Sequence, residues 1–195
     1  NELAAAACFA IRDAIGKKYN PLFIYGTVGV GKTHLLQATG NEIMKQYNNK
    51  LRVLYVTSEK FTNDVVTALQ NKSLERIEAM KQKYRNVDVL IIDDIQFIGG
   101  RERTEEEFFH TFNALYNNNK QIILSSDRPP RALPTLEERL KSRFEGGMIA
   151  DIQFPEYEMR VAILRNKLLE KKSELPDPII TLIAKKVQKN VRELE

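Results

Sequence analysis

The segment Gly26-Thr27-Val28-Gly29-Val30-Gly31-Lys32-Thr33 has the spacing G-x-x-x-x-G-K-[ST], and its reading decides the fold. Just before it, Leu22-Phe23-Ile24-Tyr25 is an uninterrupted apolar run, the pattern of a buried strand. From Lys32 to about Gln46 the apolar spacing becomes helical. A glycine-rich turn between a strand and a helix can aim its backbone N–H groups at phosphate oxygens, where the helix N-terminus also favours negative charge. In that arrangement Gly26, Thr27, Val28, Gly29, Val30 and Gly31 wrap the phosphates of ATP or ADP. Lys32 reaches the β and γ phosphates as a point charge, and the Thr33 hydroxyl ligates Mg²⁺. The bland alternative is a glycine-rich turn followed by a surface lysine.

Working outward, a helix over Glu2–Ile15 precedes the first strand, and Val53–Val56 reads as a second strand. The alternation predicts an α/β fold with a largely parallel sheet. About thirty residues separate this strand from the next apolar run, Val89–Ile92, which leaves room for two helices, near Lys60–Leu69 and Ser73–Tyr84. One helix would suffice for the crossover, so the pair reads as an insertion. A helix near Glu105–Tyr116, a strand at Gln121–Ser125, a helix near Leu136–Phe144 and an apolar stretch at Met148–Phe154 complete five strands. Pro155 ends the alternation, and helices follow on either side of Leu175-Pro176-Asp177-Pro178. The expected division is a nucleotide-binding subdomain over residues 1–154 and a helical, truncated lid over residues 155–195.

Leu90-Ile91-Ile92-Asp93-Asp94 puts two carboxylates at the C-terminal end of a buried strand, the edge where ligands of parallel sheets sit. Asp93 is the candidate for holding Mg²⁺ through water, and Asp94 for orienting or deprotonating the attacking water of ATP hydrolysis. The alternative for either is a helix N-cap. Asp127 closes the next strand after Ser125-Ser126. It is either a group beside the γ-phosphate, between the two earlier strand ends, or a turn residue before Arg128-Pro129-Pro130. Arg139 and Arg143 lie four apart on one helical face, where arginines are ordinarily solvated.

Composition narrows the class. With 30 basic and 26 acidic residues in 195 the net charge is +4, which permits a nucleic-acid partner without arguing for one. Cys8 stands alone and has no internal disulfide partner. It reads as a small buried side chain, and a reducing compartment, the cytoplasm, is the expectation. No apolar stretch approaches the roughly 20 residues of a membrane span. A small-molecule kinase would need an acceptor-binding lid with its own base, and none is legible. The ends at Asn1 and Glu195 read as the edges of a fragment.

Taken together these segments resemble the AAA+ ATPase family, and within it the bacterial chromosomal replication initiators. The likeness rests on Asn20-Pro21-Leu22-Phe23-Ile24-Tyr25-Gly26, Gly31-Lys32-Thr33-His34-Leu35-Leu36, Ile92-Asp93-Asp94-Ile95-Gln96-Phe97 and Phe108-Phe109-His110-Thr111-Phe112-Asn113. It continues through Arg139-Leu140-Lys141-Ser142-Arg143-Phe144 and Asn190-Val191-Arg192-Glu193-Leu194-Glu195. The resemblance implies that Asp127 is sensor 1, Arg143 the arginine finger and Arg192 the sensor 2 residue of the lid, which joins His34 and the loop in contacting nucleotide. It implies that the two-helix insertion is the initiator-specific element, with Val66, and Arg103 in the loop after Phe97, at positions for single-stranded DNA; neighbouring Arg101 is placed to add a second phosphate contact. It further implies ATP-dependent self-assembly into oligomers at origin DNA, with the replicative helicase or its loader as a further partner. A helicase loader or an initiator-related regulatory ATPase is the alternative within the same superfamily. Two departures stand out. Thr27 replaces a second glycine that many initiators carry, an expected alteration of the loop backbone. Asp94 replaces the usual AAA+ glutamate, as in initiators, and a carboxylate one methylene short implies slow hydrolysis. Of the two histidines, His34 reads as helix packing beside the loop and His110 as an ordinary helical residue.

Overall fold

A computed structural model describes residues 1–70, 73–188 and 191–194. In chain order the elements are α1 (Glu2–Asp13), β1 (Leu22–Tyr25), α2 (Lys32–Gln46), β2 (Val53–Thr57), α3 (Ser58–Gln70), α4 (Leu74–Arg85) and β3 (Val89–Asp93). There follow α5 (Glu102–Asn117), β4 (Gln121–Ser126), α6 (Glu138–Glu145), β5 (Met148–Asp151), α7 (Tyr157–Glu170) and α8 (Asp177–Lys186). Short 3-10 turns lie at Ile95–Ile98, Pro130–Ala132 and Val191–Glu193.

The strands form one parallel sheet in the order β2-β3-β4-β1-β5. Because side chains alternate across a strand, the sheet feeds two apolar layers. Leu22, Ile24, Val89, Ile91, Ile123 and Ala150 pack with α1 and α2 residues such as Ile11, Leu36 and Ile43. Phe23, Leu90, Ile92, Ile122 and Leu124 pack with α3, α5 and α6. In this second layer Phe108 sits 5.6 Å from Phe61 and 6.2 Å from Phe144, ring centre to ring centre and edge-on. Burying each such ring contributes about 1.5–3 kcal/mol relative to exposure.

A separate apolar cluster, Leu164, Ile180, Ala184 and Leu194, holds α7 and α8 together. The two inserted helices both form. They are clamped by Asp64, which accepts hydrogen bonds from Lys60 (2.8 Å), Lys83 (2.5 Å) and the Tyr84 hydroxyl (2.8 Å). Burial pushes the Asp64 carboxyl up, but the three donors outweigh it and hold it at about 2. No described helix is long and apolar enough to cross a membrane.

Two local expectations need correction. The last strand stops at Asp151 instead of running to Phe154: the Ile152 N–H makes the final rung, to the Tyr25 carbonyl at 2.7 Å, and β1 offers no further partner because it ends at Tyr25. The helix α5 begins at Glu102, three residues earlier than its apolar periodicity suggests. A third expectation concerns the loop, where Thr27 is not among the residues with positive φ, so this position does not itself require glycine's left-handed freedom.

Candidate nucleotide site

The parallel order of β3, β4 and β1 brings the ends of three strands together at one edge of the sheet. There the loop from Gly26 to Thr33 leaves β1. Gly26 is held on both sides: its N–H donates to the Ser126 carbonyl at 3.2 Å, and a Cβ at its position would lie 2.2 Å from the Ile152 carbonyl oxygen. Only glycine fits there. At Gly31 the reason is conformational, since φ is +96°, where an L side chain is strained. Val30 anchors the loop in the core, while Val28 is exposed at its tip. Gly31 is also the N-cap of α2, and no side chain caps that helix. A helix N-terminus offers unpaired backbone N–H donors and a partial positive charge, which suits a phosphate chain. Lys32, only 8% exposed, donates from Nζ to the carbonyls of Gly26 (2.6 Å) and Thr27 (3.0 Å).

Asp93 is 3% exposed and sits among hydroxyls. Its Oδ2 accepts from Thr33 Oγ1 at 2.7 Å and from the Tyr55 hydroxyl at 2.9 Å, and its Oδ1 accepts from Ser125 Oγ. Burial first, then the hydrogen bond to Asp93, push the Tyr55 phenol up to about 12. The pairing of a phosphate-loop hydroxyl with an ionisable carboxylate is the oxygen donor set that Mg²⁺ prefers, so these residues fit the ion.

Asp94 stands at the N-cap of the Ile95–Ile98 turn in the left-handed conformation (φ 57°), yet its side chain makes no capping bond. Its backbone is fixed instead, the N–H donating to Ser125 Oγ (2.9 Å) and the carbonyl accepting from Ser58 Oγ (2.7 Å). Gln96 donates to the Asp94 carboxylate at 3.2 Å.

Asp127 lies at the end of β4, and with Tyr25, Gly26, Thr27 and Asp151 it lines a pocket of 340 Å³. Both its oxygens accept from Arg128, at 3.0 and 2.7 Å. That guanidinium, with a smaller pull from Lys32, lowers its carboxyl below the usual range. Val191 donates its N–H to the Gly29 carbonyl at 2.8 Å, so the turn bearing Arg192 touches the loop. The Arg192 side chain, together with Asn190 and Glu195, lies outside the described residues.

The other candidates stand elsewhere. Arg143 is exposed in the last turn of α6, next to the start of β5, which is the sheet edge opposite the phosphate loop. Its helical neighbour Arg139 is bonded to Glu137 and stacks 4.5 Å over the Phe109 ring. Val66 is 40% exposed on α3, so it is not core, although Val65 beside it is fully buried. Arg101 caps α5 and Arg103 lies in its first turn instead of in a loop; both are exposed. The buried Glu105 accepts from the N–H groups of Gly100 and Glu137, each at 2.8 Å, and so ties this end of α5 to the start of α6. His34 is exposed, which overturns its reading as a packing residue, whereas His110 is an exposed helical residue and Cys8 is buried, as expected.

The family model described as the bacterial DnaA ATPase domain matches residues 1–151. The chain belongs to that family. It is 56% identical to the chromosomal replication initiator protein DnaA of Thermoanaerobacter sp. (strain X514) over its whole length, and spans 43% of the length of that relative. Among solved structures, domain III of the DnaA from Thermotoga maritima matches with a TM-score of 0.93 and 44% identity, covering 100% of this chain and 79% of that one. A replication initiator DnaA bound to AMPPCP and single-stranded DNA matches with a TM-score of 0.87 and 43% identity, covering 100% of this chain and 58% of that one. Tyr55, Ser58 and Glu105 were not legible as site residues. A tyrosine in an apolar strand and a buried glutamate behind two arginines were the only traces they left.

Proposed function

We propose that this DnaA-family chain is the nucleotide-controlled core of a cytoplasmic chromosomal replication initiator. It binds ATP or ADP with Mg²⁺, hydrolyses ATP slowly, assembles at origin DNA when ATP is bound, and engages single-stranded DNA to promote duplex opening. The observation that carries this reading is the division of the machinery between two edges of the sheet. The loop Gly26–Thr33 with Asp93, Asp94 and Asp127 occupies one edge, and the exposed Arg143 the other. A guanidinium so placed meets a γ-phosphate in a neighbouring copy, and the contact joins unlike surfaces, so it repeats from copy to copy.

Within one copy, the loop amides and Lys32 hold the phosphates, and Thr33 with Asp93 holds Mg²⁺, which neutralises phosphate charge when bound. Asp94, oriented by Gln96, aligns the attacking water, and Asp127 with Arg128 lies at the γ-phosphate side. Residues 155–195 act as a lid, with Arg192 reporting the nucleotide. The contact of Val191 with Gly29 supports that role. Val66, Arg101 and Arg103 contact single-stranded DNA without reading its sequence, the arginines at phosphates and Val66 at a sugar or base. The packing of α3 against the Ile95–Ile98 turn and α5 supports a shared surface. The replicative helicase or its loader is a further partner.

Fluorescence anisotropy of a labelled oligothymidine tests the reading at low and moderate salt, with ATP or ADP, for the parent, Val66→Ala and Arg103→Ala. Binding should be weak with ADP and rise with ATP as several domains align along the strand, and both variants should lose the rise. Equal binding by all three proteins in both nucleotide states would reject the DNA site.

A further inference from the structure

We infer that Tyr55 is a positioning residue of the magnesium site, setting the Asp93 carboxylate so that a single acceptor direction remains for the ion's hydration shell. The inference rests on the proposed roles of Thr33 and Asp93. An ionised carboxylate has about four acceptor directions, two on each oxygen. On Asp93, Oδ2 uses both, for Thr33 Oγ1 at 2.7 Å and the Tyr55 hydroxyl at 2.9 Å, and Oδ1 uses one for Ser125. What is left lies on Oδ1, a place for one water of a hydrated ion and not for direct bidentate coordination. Mg²⁺ suits such a site, because it gives up its waters reluctantly.

Tyr55 is well built for this task. Its strand, β2, pairs with β3 in a register that sets Thr57 opposite Asp93 and Tyr55 opposite Ile91. Tyr55 is thus the diagonal neighbour of Asp93 on the same face, a separation that a long aromatic side chain can span. The rigid ring brings its hydroxyl from the outer strand of the sheet to the carboxylate, on the side away from Ser125 of β4. Without the phenol, Oδ2 keeps one donor, and the carboxylate can rotate away from the orientation that receives the ion's water. Groups that orient ligands in this way typically contribute 10–100-fold to metal affinity.

The test uses Mn²⁺ as the probe ion and a fluorescent ADP, with the parent, Tyr55→Phe, Thr33→Ala and Asp93→Asn. Nucleotide affinity is measured in EDTA and across a Mn²⁺ titration, and the Mn²⁺ EPR line shape is recorded in the ternary complex. For Tyr55→Phe the expected result is unchanged affinity in EDTA, roughly tenfold weaker apparent Mn²⁺ binding and an altered line shape. Parental Mn²⁺ binding in Tyr55→Phe, while Thr33→Ala and Asp93→Asn are impaired, overturns the positioning role alone. An equal loss with and without Mn²⁺ also overturns it, since that marks a general packing defect. If Thr33→Ala and Asp93→Asn bind Mn²⁺ like the parent, the magnesium site itself is wrong and the inference falls with it.

Discussion

Lys32 has two tasks that pull in one direction. A buried ammonium is costly unless it is bonded, and here the carbonyls of Gly26 and Thr27 satisfy it while bracing the turn that must surround a phosphate chain. Replacing it with alanine removes the brace and the charge together but leaves the apolar layers intact. Lys32→Ala should weaken binding of labelled ATP about a hundredfold or more, given about 1.5–3 kcal/mol for each bond to a charged group. A thermal melt should show a folded protein. Parental affinity in that variant would remove the loop from the nucleotide site. Tyr55 makes the same point about what a sequence can hide. Its hydroxyl meets Asp93 only through the register of β2 on β3, which no local pattern encodes.

At the scale of elements, the inserted pair α3 and α4 depends on a polar clamp. Asp64 is depressed to about 2 from an ordinary carboxylate value near 3.9. A depressed carboxyl stabilises the fold above the unfolded value, and that contribution is lost as the pH falls from about 4 toward 2. Asp64→Asn should therefore cost about 1 kcal/mol at pH 6 by urea unfolding, with the gap to the parent narrowing below pH 4. A gap that widened in acid would contradict the clamp.

The elements themselves were largely legible in the sequence. Leu22–Tyr25 and Val89–Asp93 are fully or nearly fully buried runs flanked by turns, which is why their apolar stretches were unambiguous. The start of α5 was not legible, because Glu102-Arg103-Thr104 carries no apolar period and is fixed instead by Glu105 bonding to the backbone amides of nearby Gly100 and distant Glu137. The early end of β5 was equally hidden, since Ile152 continues the apolar run but its partner strand β1 ends at Tyr25, a limit set by pairing and not by local pattern. The phosphate loop and the acidic strand end could be found from spacing because their chemistry is local. Two of the hydroxyls that fix Asp93, those of Tyr55 and Ser125, come from strands on either side and needed the sheet.

For the whole molecule, the separation of Arg143 from the phosphate loop predicts an enzyme that is incomplete alone. Arg143→Ala should leave the monomer's affinity for ATP unchanged within about twofold, yet abolish ATP-dependent association in sedimentation, if the guanidinium acts on another copy as proposed. A large loss of affinity in dilute monomer would instead put Arg143 in its own site. Turnover in dilute protein should fall below about 10 s⁻¹, the median for enzymes. The strand order also sets a timetable for synthesis. Leu22, at the start of the strand that carries the phosphate loop, pairs with Ile123 on one side and Met148 on the other. Ribosomes add about 5–20 residues per second, so this strand emerges many seconds before either neighbour is translated. Until then both edges of the strand that leads into the loop are open and available to chaperones, and a nascent chain cannot assemble the proposed nucleotide site before nearly the whole sheet has left the ribosome.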